Sequence, residues 1–321
     1  MVLFLLGFSI DCRCLVSNNK KLVVPVLFAL YAAAAMSAGP VFVKKALEHL
    51  PPFFCIALAA SLASLSLFIL LAIAGRFPSF KGNSTSVLKI FLFFILFQAL
   101  PGIIWFHTLP HLSGIFAVVI KRIQPLVIAL LSIVLVGRRL RSTDIPLSLL
   151  ALGGLYLIAL GRYEGTRDPL RLFYVLAALS CVFLWATQFL YARKLLDSFD
   201  SVQANAIGMF AYAVSIFPFA LIQELPSMDD YVFSSVASVC FVGIGVFGFG
   251  VASIFKALSE LEPWTVSMIM LVGPVFGAVA AYFLLGESIS NFQVFGVLLV
   301  IVSMAMAIHL EEKEKKYALP H

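Results

Sequence analysis

Residues 124–137 read Gln-Pro-Leu-Val-Ile-Ala-Leu-Leu-Ser-Ile-Val-Leu-Val-Gly, and residues 273–286 read Gly-Pro-Val-Phe-Gly-Ala-Val-Ala-Ala-Tyr-Phe-Leu-Leu-Gly. Each places a proline inside an apolar run and a glycine twelve residues later. The two runs coincide when residues 109–150 slide onto 258–299, a shift of 149 that also matches Leu109, Leu112, Ile120, Ala129, Leu135, Leu149 and Leu150 to identical residues. Leucine matches carry little weight in an apolar chain, whereas Pro125 with Pro274 and Gly137 with Gly286 are informative. The chain therefore contains an internal repeat.

The composition says what kind of repeat it is. Of the 321 residues 62% are hydrophobic and 12% charged, with a mean hydropathy of +1.06. An ordinary soluble domain is about 45–50% apolar and about 25% charged. Such a chain has too few charges to cover a soluble surface, and disorder or a disulfide-rich scaffold is excluded as well. Its solvent is the bilayer.

Spanning helices need about 20 apolar residues. Cutting the apolar runs at charges, prolines and glycines predicts ten spans, near 22–43, 51–74, 87–108, 112–136, 144–161, 172–192, 203–223, 231–255, 263–285 and 291–310. The runs are continuous, unlike the alternating strands of a barrel. Residues 1–16 form a shorter apolar run broken by Asp11 and Arg13, and fit neither a span nor a signal peptide. The predicted organisation is a tail at 1–21, a five-helix repeat at 22–161, a second at 172–310 and a charged tail at 311–321. Five is odd, so the second copy is inverted in the membrane, as in many secondary transporters. The fold class is all-α, with ten transmembrane helices in two inverted repeats.

Charge sets the orientation. With the N-terminus inside, cytoplasmic segments hold fifteen basic residues: Arg13, Lys20, Lys21, Arg76, Lys81, Lys89, Arg138, Arg139, Arg141, Arg193, Lys194, Lys256, Lys313, Lys315 and Lys316. Outer segments hold five, namely Lys44, Lys45, Arg162, Arg167 and Arg171. This bias predicts both termini in the cytoplasm of a cell-membrane protein. The net charge of +6 is thus a topology signal rather than a nucleic-acid one. Small residues mark close helix contacts, at Ala32–Ala35 with Ser37–Gly39 and at Gly243, Gly245, Gly248 and Gly250. No strand precedes those glycines, so they predict packing rather than a phosphate loop.

Residues 257–263 read Ala-Leu-Ser-Glu-Leu-Glu-Pro, 273–276 Gly-Pro-Val-Phe, and 284–287 Leu-Leu-Gly-Glu, with Gln293 before Gly296. Leu-Trp-Ala-Thr at 184–187 precedes Ala-Arg-Lys-Leu-Leu at 192–196. These segments resemble the EamA family of the drug/metabolite transporter superfamily, over nearly all of residues 22–310. The resemblance implies a ten-helix metabolite carrier or exporter. Two positions depart from the family pattern: Gly273 stands where Glu often precedes the ninth-helix proline, and Gly137 is followed by Arg138 instead of Glu. The fourth helix, with Val119-Ile120-Lys121, Pro125, Leu131 and Ser132, is also similar to plastid triose-phosphate translocators.

All sixteen acidic residues fall in tails, loops or helix ends of this assignment, so a membrane carboxylate relay is not predicted. Lys121 and Arg122 are the basic residues deep in a span. Lys121 lies about nine residues into the fourth helix, roughly 13 Å along its axis. Each cation costs about 2.5–3.5 kcal/mol at mid-membrane on insertion scales. Adjacent residues point about 100° apart and cannot share one route to the interface. The expected site is an anion site of Lys121, Arg122 and Gln124, with Gln98, Trp185 and Gln188 as cavity wall. Gln98, Gly102 and Trp105 share one helical face, and Cys181, Trp185 and Gln188 share another. Pro125 and Pro274 are the expected hinges.

The expected activity is secondary transport of a small metabolite by alternating access, the substrate an anionic carboxylate or phosphate moved by exchange or facilitated transport. An exporter of amino acids or other neutral metabolites, with Lys121 and Arg122 structural, is the alternative, and a non-transporting receptor or scaffold a remoter one. His49, His107, His111, His309 and His321 lie in or near predicted loops, and no nucleophile with its base is apparent. An enzyme is not expected, nor a cofactor, a metal or a nucleic-acid partner. The expected partners are the substrate and the bilayer; oligomeric state is left open.

Overall fold

The computed structural model describes residues 20–78, 84–108, 120, 123–137, 142–159, 171–196, 199–223, 232–273, 275–276 and 291–317. Among these the regular structure is helical. We number the helices α1 (Lys20–Ala46), α2 (Pro52–Ile73), α3 (Ser84–Phe94, Ile95–Ala99 and Leu100–Thr108), α4 (Gln124–Val136) and α5 (Asp144–Ala159). The second half holds α6 (Arg171–Leu195), α7 (Ser201–Gln223), α8 (Phe233–Cys240, Phe241–Gly250 and Val251–Glu260), α9 (Pro263–Met270) and α10 (Asn291–Tyr317). Among the described residues six stretches are long and apolar enough to cross a membrane: those of α2, α3, α6, α7, α8 and α10. Shorter apolar stretches lie in α1, α4 and α5. The protein is an integral membrane protein.

Helix ends follow local chemistry. Pro52 opens α2 at its first turn, where its missing N–H is no loss. Gly75, at φ +65°, closes it: Gly75 donates to the Ala72 carbonyl at 3.1 Å and Arg76 to the Leu71 carbonyl at 2.9 Å. Gly137, at φ +69°, ends α4 by donating to Ile133, as its place after the apolar run predicted. In α10 the helix runs on to Tyr317, and Glu311 is buried within it.

The two halves pack by equivalent partners. α2 lies against α7, and α5 against α10. The α2–α7 pair is antiparallel: Phe53 meets Phe219 at 6.0 Å, Ser64 donates to the Ala206 carbonyl at 3.0 Å, and Arg76 meets Asp200 at 2.9 Å. Equivalent helices running in opposite directions are what an inverted repeat requires. Other contacts recur in matched form, since α1 packs on α8 and α9 as α6 packs on α3 and α4. α4 and α9 touch across the pseudo-axis.

Small residues bring the helices together where the sequence concentrates them. A Cβ on Gly250 would lie 3.6 Å from Ala35, and one on Gly39 would lie 3.5 Å from Val246, so the two predicted clusters meet each other. Gly243 approaches α2 so closely that a Cβ would sit 2.7 Å from the Ala59 carbonyl oxygen. Without a hydrophobic force between helices in lipid, such close backbone contact carries the association.

Two segments leave the α-helical register. Ile95–Ala99 in α3 and Phe241–Gly250 in α8 are π-helical. Shifting the first by the 149 residues of the repeat gives 244–248, inside the second. The irregularity belongs to the repeat itself. π-helical turns inside α-helices are frequent at functional sites.

Candidate functional site

The two faces read from the sequence of α3 and α6 meet. The Trp105 and Trp185 rings lie 5.6 Å apart between centroids at 59°, within the range of favourable aromatic pairs. Beside them the Cys181 thiol donates to the carbonyls of Ala177 at 3.3 Å and Pro101 at 3.4 Å, tying the two helices at the level of the proline. Gln188 is buried on α6 and Gln98 half-buried in the π-helical turn of α3, which packs against α6.

Gly102 is the hub of this wall. A Cβ there would lie 2.6 Å from the hydroxyl oxygen of Tyr212 on α7, so only glycine admits that side chain. Tyr212 is buried, and its ring lies 6.0 Å from that of Phe247 in the π-helical turn of α8. Asn205, two turns earlier on the same face of α7, is fully buried and donates its side-chain amide to the carbonyls of Phe247 at 3.0 Å and Gly248 at 2.8 Å. A π-helical turn misaligns carbonyls from their usual donors, and the Asn205 amide satisfies two of them. Four helices, α3, α6, α7 and α8, are thereby joined around Gly102 and Phe247.

α4 packs against α6 and α9. Ile123 lies in a turn and donates to the Ile120 carbonyl at 3.1 Å; the helix begins again at Gln124, with Pro125 buried in its first turn. The side-chain nitrogen of Gln124 is buried with no hydrogen-bond partner among the described residues. By helical spacing Gly114, Ala117, Lys121, Gln124 and Ser132 share one face of the predicted fourth span; Gly114, Ala117 and Lys121 of that face lie outside the described residues, as do Arg122 and Pro274. Ser132 of that face is buried and donates to its own helix, at the Ala129 carbonyl, 2.7 Å away.

Sequence reasoning missed Asn205, Tyr212 and both π-helical turns. Asn205 carried a usable signal, an amide near the start of an apolar span, because polar side chains there seek partners on neighbouring helices. The π turns left none. A groove of about 520 Å³ between α2 and α7, lined by Ser61, Ser64, Phe68, Phe210 and Phe217, includes none of the predicted site residues. Leu65, Phe210 and Phe217 on its rim are exposed, which places it on the lipid-facing side.

The comparisons agree with this architecture. A model of the EamA-like transporter family matches residues 23–160 and again 172–308. An uncharacterized transporter of Clostridium kluyveri is 22% identical over 138 residues, 43% of this chain. That match spans 43% of the relative's length, less than half of it. One crystal structure of a protein superimposes with a TM-score of 0.77 at 18% identity, covering 90% of this chain and 98% of that one; at that identity it speaks for the fold alone. With both repeats matched over most of its length, this chain belongs to the EamA-like transporter family.

Proposed function

We propose that this membrane transporter carries a small anionic metabolite, bearing a carboxylate or phosphate, by exchange or facilitated movement through alternating access. The observation that carries the reading is the start of α4. Lys121 and Arg122 precede Ile123 and Gln124 in sequence, and the buried amide nitrogen of Gln124 has no partner among the described residues. Two cations at such depth need a compensating negative charge. Arginine's planar fork suits a carboxylate or phosphate, and the Gln124 amide adds a neutral donor. In this reading the Trp105–Trp185 pair, Gln98 and Gln188 form the wall opposite, where apolar parts of the substrate lie.

The inverted repeat supplies the mechanism: exchange of conformation between two similar halves exposes one site to each side in turn. The excess of Lys and Arg in alternate loops supports cytoplasmic termini and a cell-membrane location. The test is uptake by the purified protein in proteoliposomes, across a panel of carboxylates, phosphates and neutral solutes of similar size. Uptake of anions and not of neutral solutes is expected; uptake confined to neutral solutes overturns the anion reading.

A further inference from the structure

An inverted repeat built of two identical halves would favour neither side of the membrane. Departures from symmetry at the gates therefore decide which state is populated at rest. Every position in one half has a counterpart 149 residues away at the opposite membrane face, and this relation allows each gate contact to be checked against its mirror.

On the face where α2 ends and α5, α7 and α9 begin, two polar links join the halves. In the first, Arg76 donates to the Asp200 carboxylate at 2.9 Å, while Gln203 donates its side-chain amide to the Arg76 carbonyl at 2.8 Å. The geometry is built on both sides. The Gly75 turn at the end of α2 aims Arg76 at α7. The other oxygen of Asp200 caps α7, accepting from the backbone N–H groups of Val202 and Gln203, each at 2.9 Å. In the second link, the Trp264 indole on α9 donates to the Ser148 hydroxyl on α5 at 3.2 Å, with both residues fully buried. Trp264 is held in place because α9 itself is anchored: Glu311 of α10 accepts from the Glu262 backbone N–H at 2.9 Å.

The mirror positions cannot form either link. Asp200 corresponds to Pro51, which occupies the same place before α2 without a side-chain cap, and Arg76 corresponds to Leu225. Trp264 corresponds to Ile115, and Ser148 to Val297. By contrast, the link described on the far face, Ser235 donating to the Lys45 carbonyl at 3.3 Å, has Ser86 and Lys194 as counterparts and so is open to both sides.

We propose that the Arg76–Asp200 and Trp264–Ser148 links form a one-sided latch that makes closure on the Arg76 face the resting state, leaving the substrate site facing the other side. This inference rests on the alternating-access reading above. The Lys and Arg bias assigns the Arg76 face to the cytoplasm, so the resting carrier faces outward. Opening toward the cytoplasm then requires both links to part.

The test is a distance measurement in full-length protein in lipid vesicles, with spin labels on genetically encoded residues at the exposed positions 73 and 259, one in each half near this face. Wild-type protein is expected to show a dominant short distance and a minor long one. Arg76→Gln or Asp200→Asn should raise the long-to-short ratio about two- to five-fold, the range for a half-exposed pair. The charge swap of Arg76→Asp with Asp200→Arg should restore it. Ser148→Ala removes the acceptor of the Trp264 indole at the loss of a single oxygen atom, and should raise the ratio about five-fold. Arg76→Lys serves if Arg76→Gln does not fold, with an intermediate shift expected. Two distances whose ratio no variant moves overturn the latch and leave alternating access standing. A single distance in wild type and in every variant overturns alternating access as well.

Discussion

Trp105 and Trp185 face each other at 5.6 Å across the junction of the two halves, one from α3 and one from α6. Neither helix alone specifies the contact. Helical spacing puts Trp105 on the face of Gln98 and Gly102, and Trp185 on the face of Cys181 and Gln188; packing then sets the faces together. A double-mutant cycle should show the pair coupled. Trp105→Leu and Trp185→Leu are expected to be non-additive by about 0.5–1.5 kcal/mol, the usual worth of an aromatic pair beyond its buried area. Thermal unfolding in detergent measures it, and strict additivity would contradict the contact.

Two adjacent glycines of α5 make a cleaner test of the packing. A Cβ on Gly154 would sit 2.7 Å from the Gly296 carbonyl oxygen and 2.9 Å from Leu299 Cβ, whereas one on Gly153 meets nothing within 4 Å. Gly154→Ala should destabilise by about 1–3 kcal/mol through forced separation of α5 and α10. Gly153→Ala should be neutral or stabilise by up to about 1 kcal/mol, since alanine is the better helix former. Melting temperatures of the two variants, measured side by side, should fall on opposite sides of wild type or nearly so.

Asn205 is expected to hold the π-helical turn of α8. Its replacement by leucine removes two donors from the carbonyls of Phe247 and Gly248, and each buried acceptor left unpaired costs about 1–3 kcal/mol. Hydrogen exchange should accelerate across residues 247–252 in Asn205→Leu, with little change in α10. Unchanged protection there would mean that the turn is held by the backbone alone.

Much of this fold was legible in the sequence, for identifiable reasons. Spans announce themselves by apolar length. The shift linking Pro125 to Pro274 and Gly137 to Gly286 exposed the repeat, and an odd number of helices dictated the inversion that the antiparallel α2–α7 pair displays. Gly243, Gly248 and Gly250 of α8 meet neighbouring helices as the sequence reading expected, while Gly245 meets only Phe241 of its own helix. The π-helical turns were not legible, because a change of hydrogen-bond register leaves no mark in composition. Tyr212 was missed because an aromatic residue in an apolar span is ordinarily core, and its role depends on Gly102 in another helix. Of the expected site, Trp185 lies on a face that meets α3, while Lys121 and Arg122 lie outside the described residues.

The loop arginines separate topology from binding. Arg138→Gln removes a charge from a predicted cytoplasmic loop and should lower the fraction of correctly inserted protein, with affinity per inserted molecule unchanged within about two-fold. Quantified membrane insertion alongside substrate binding checks both halves of that statement.

Counterflow tests the central claim most directly. Proteoliposomes preloaded with a carboxylate or phosphate metabolite should take up the labelled form several-fold faster than empty ones. The effect should fall by at least about ten-fold in Lys121→Gln, equivalent to about 1.4 kcal/mol of lost substrate interaction, while Arg138→Gln retains it. Equal uptake by loaded and empty vesicles, or counterflow undiminished in Lys121→Gln and Arg122→Gln alike, would contradict an anion carrier with its site at the start of α4.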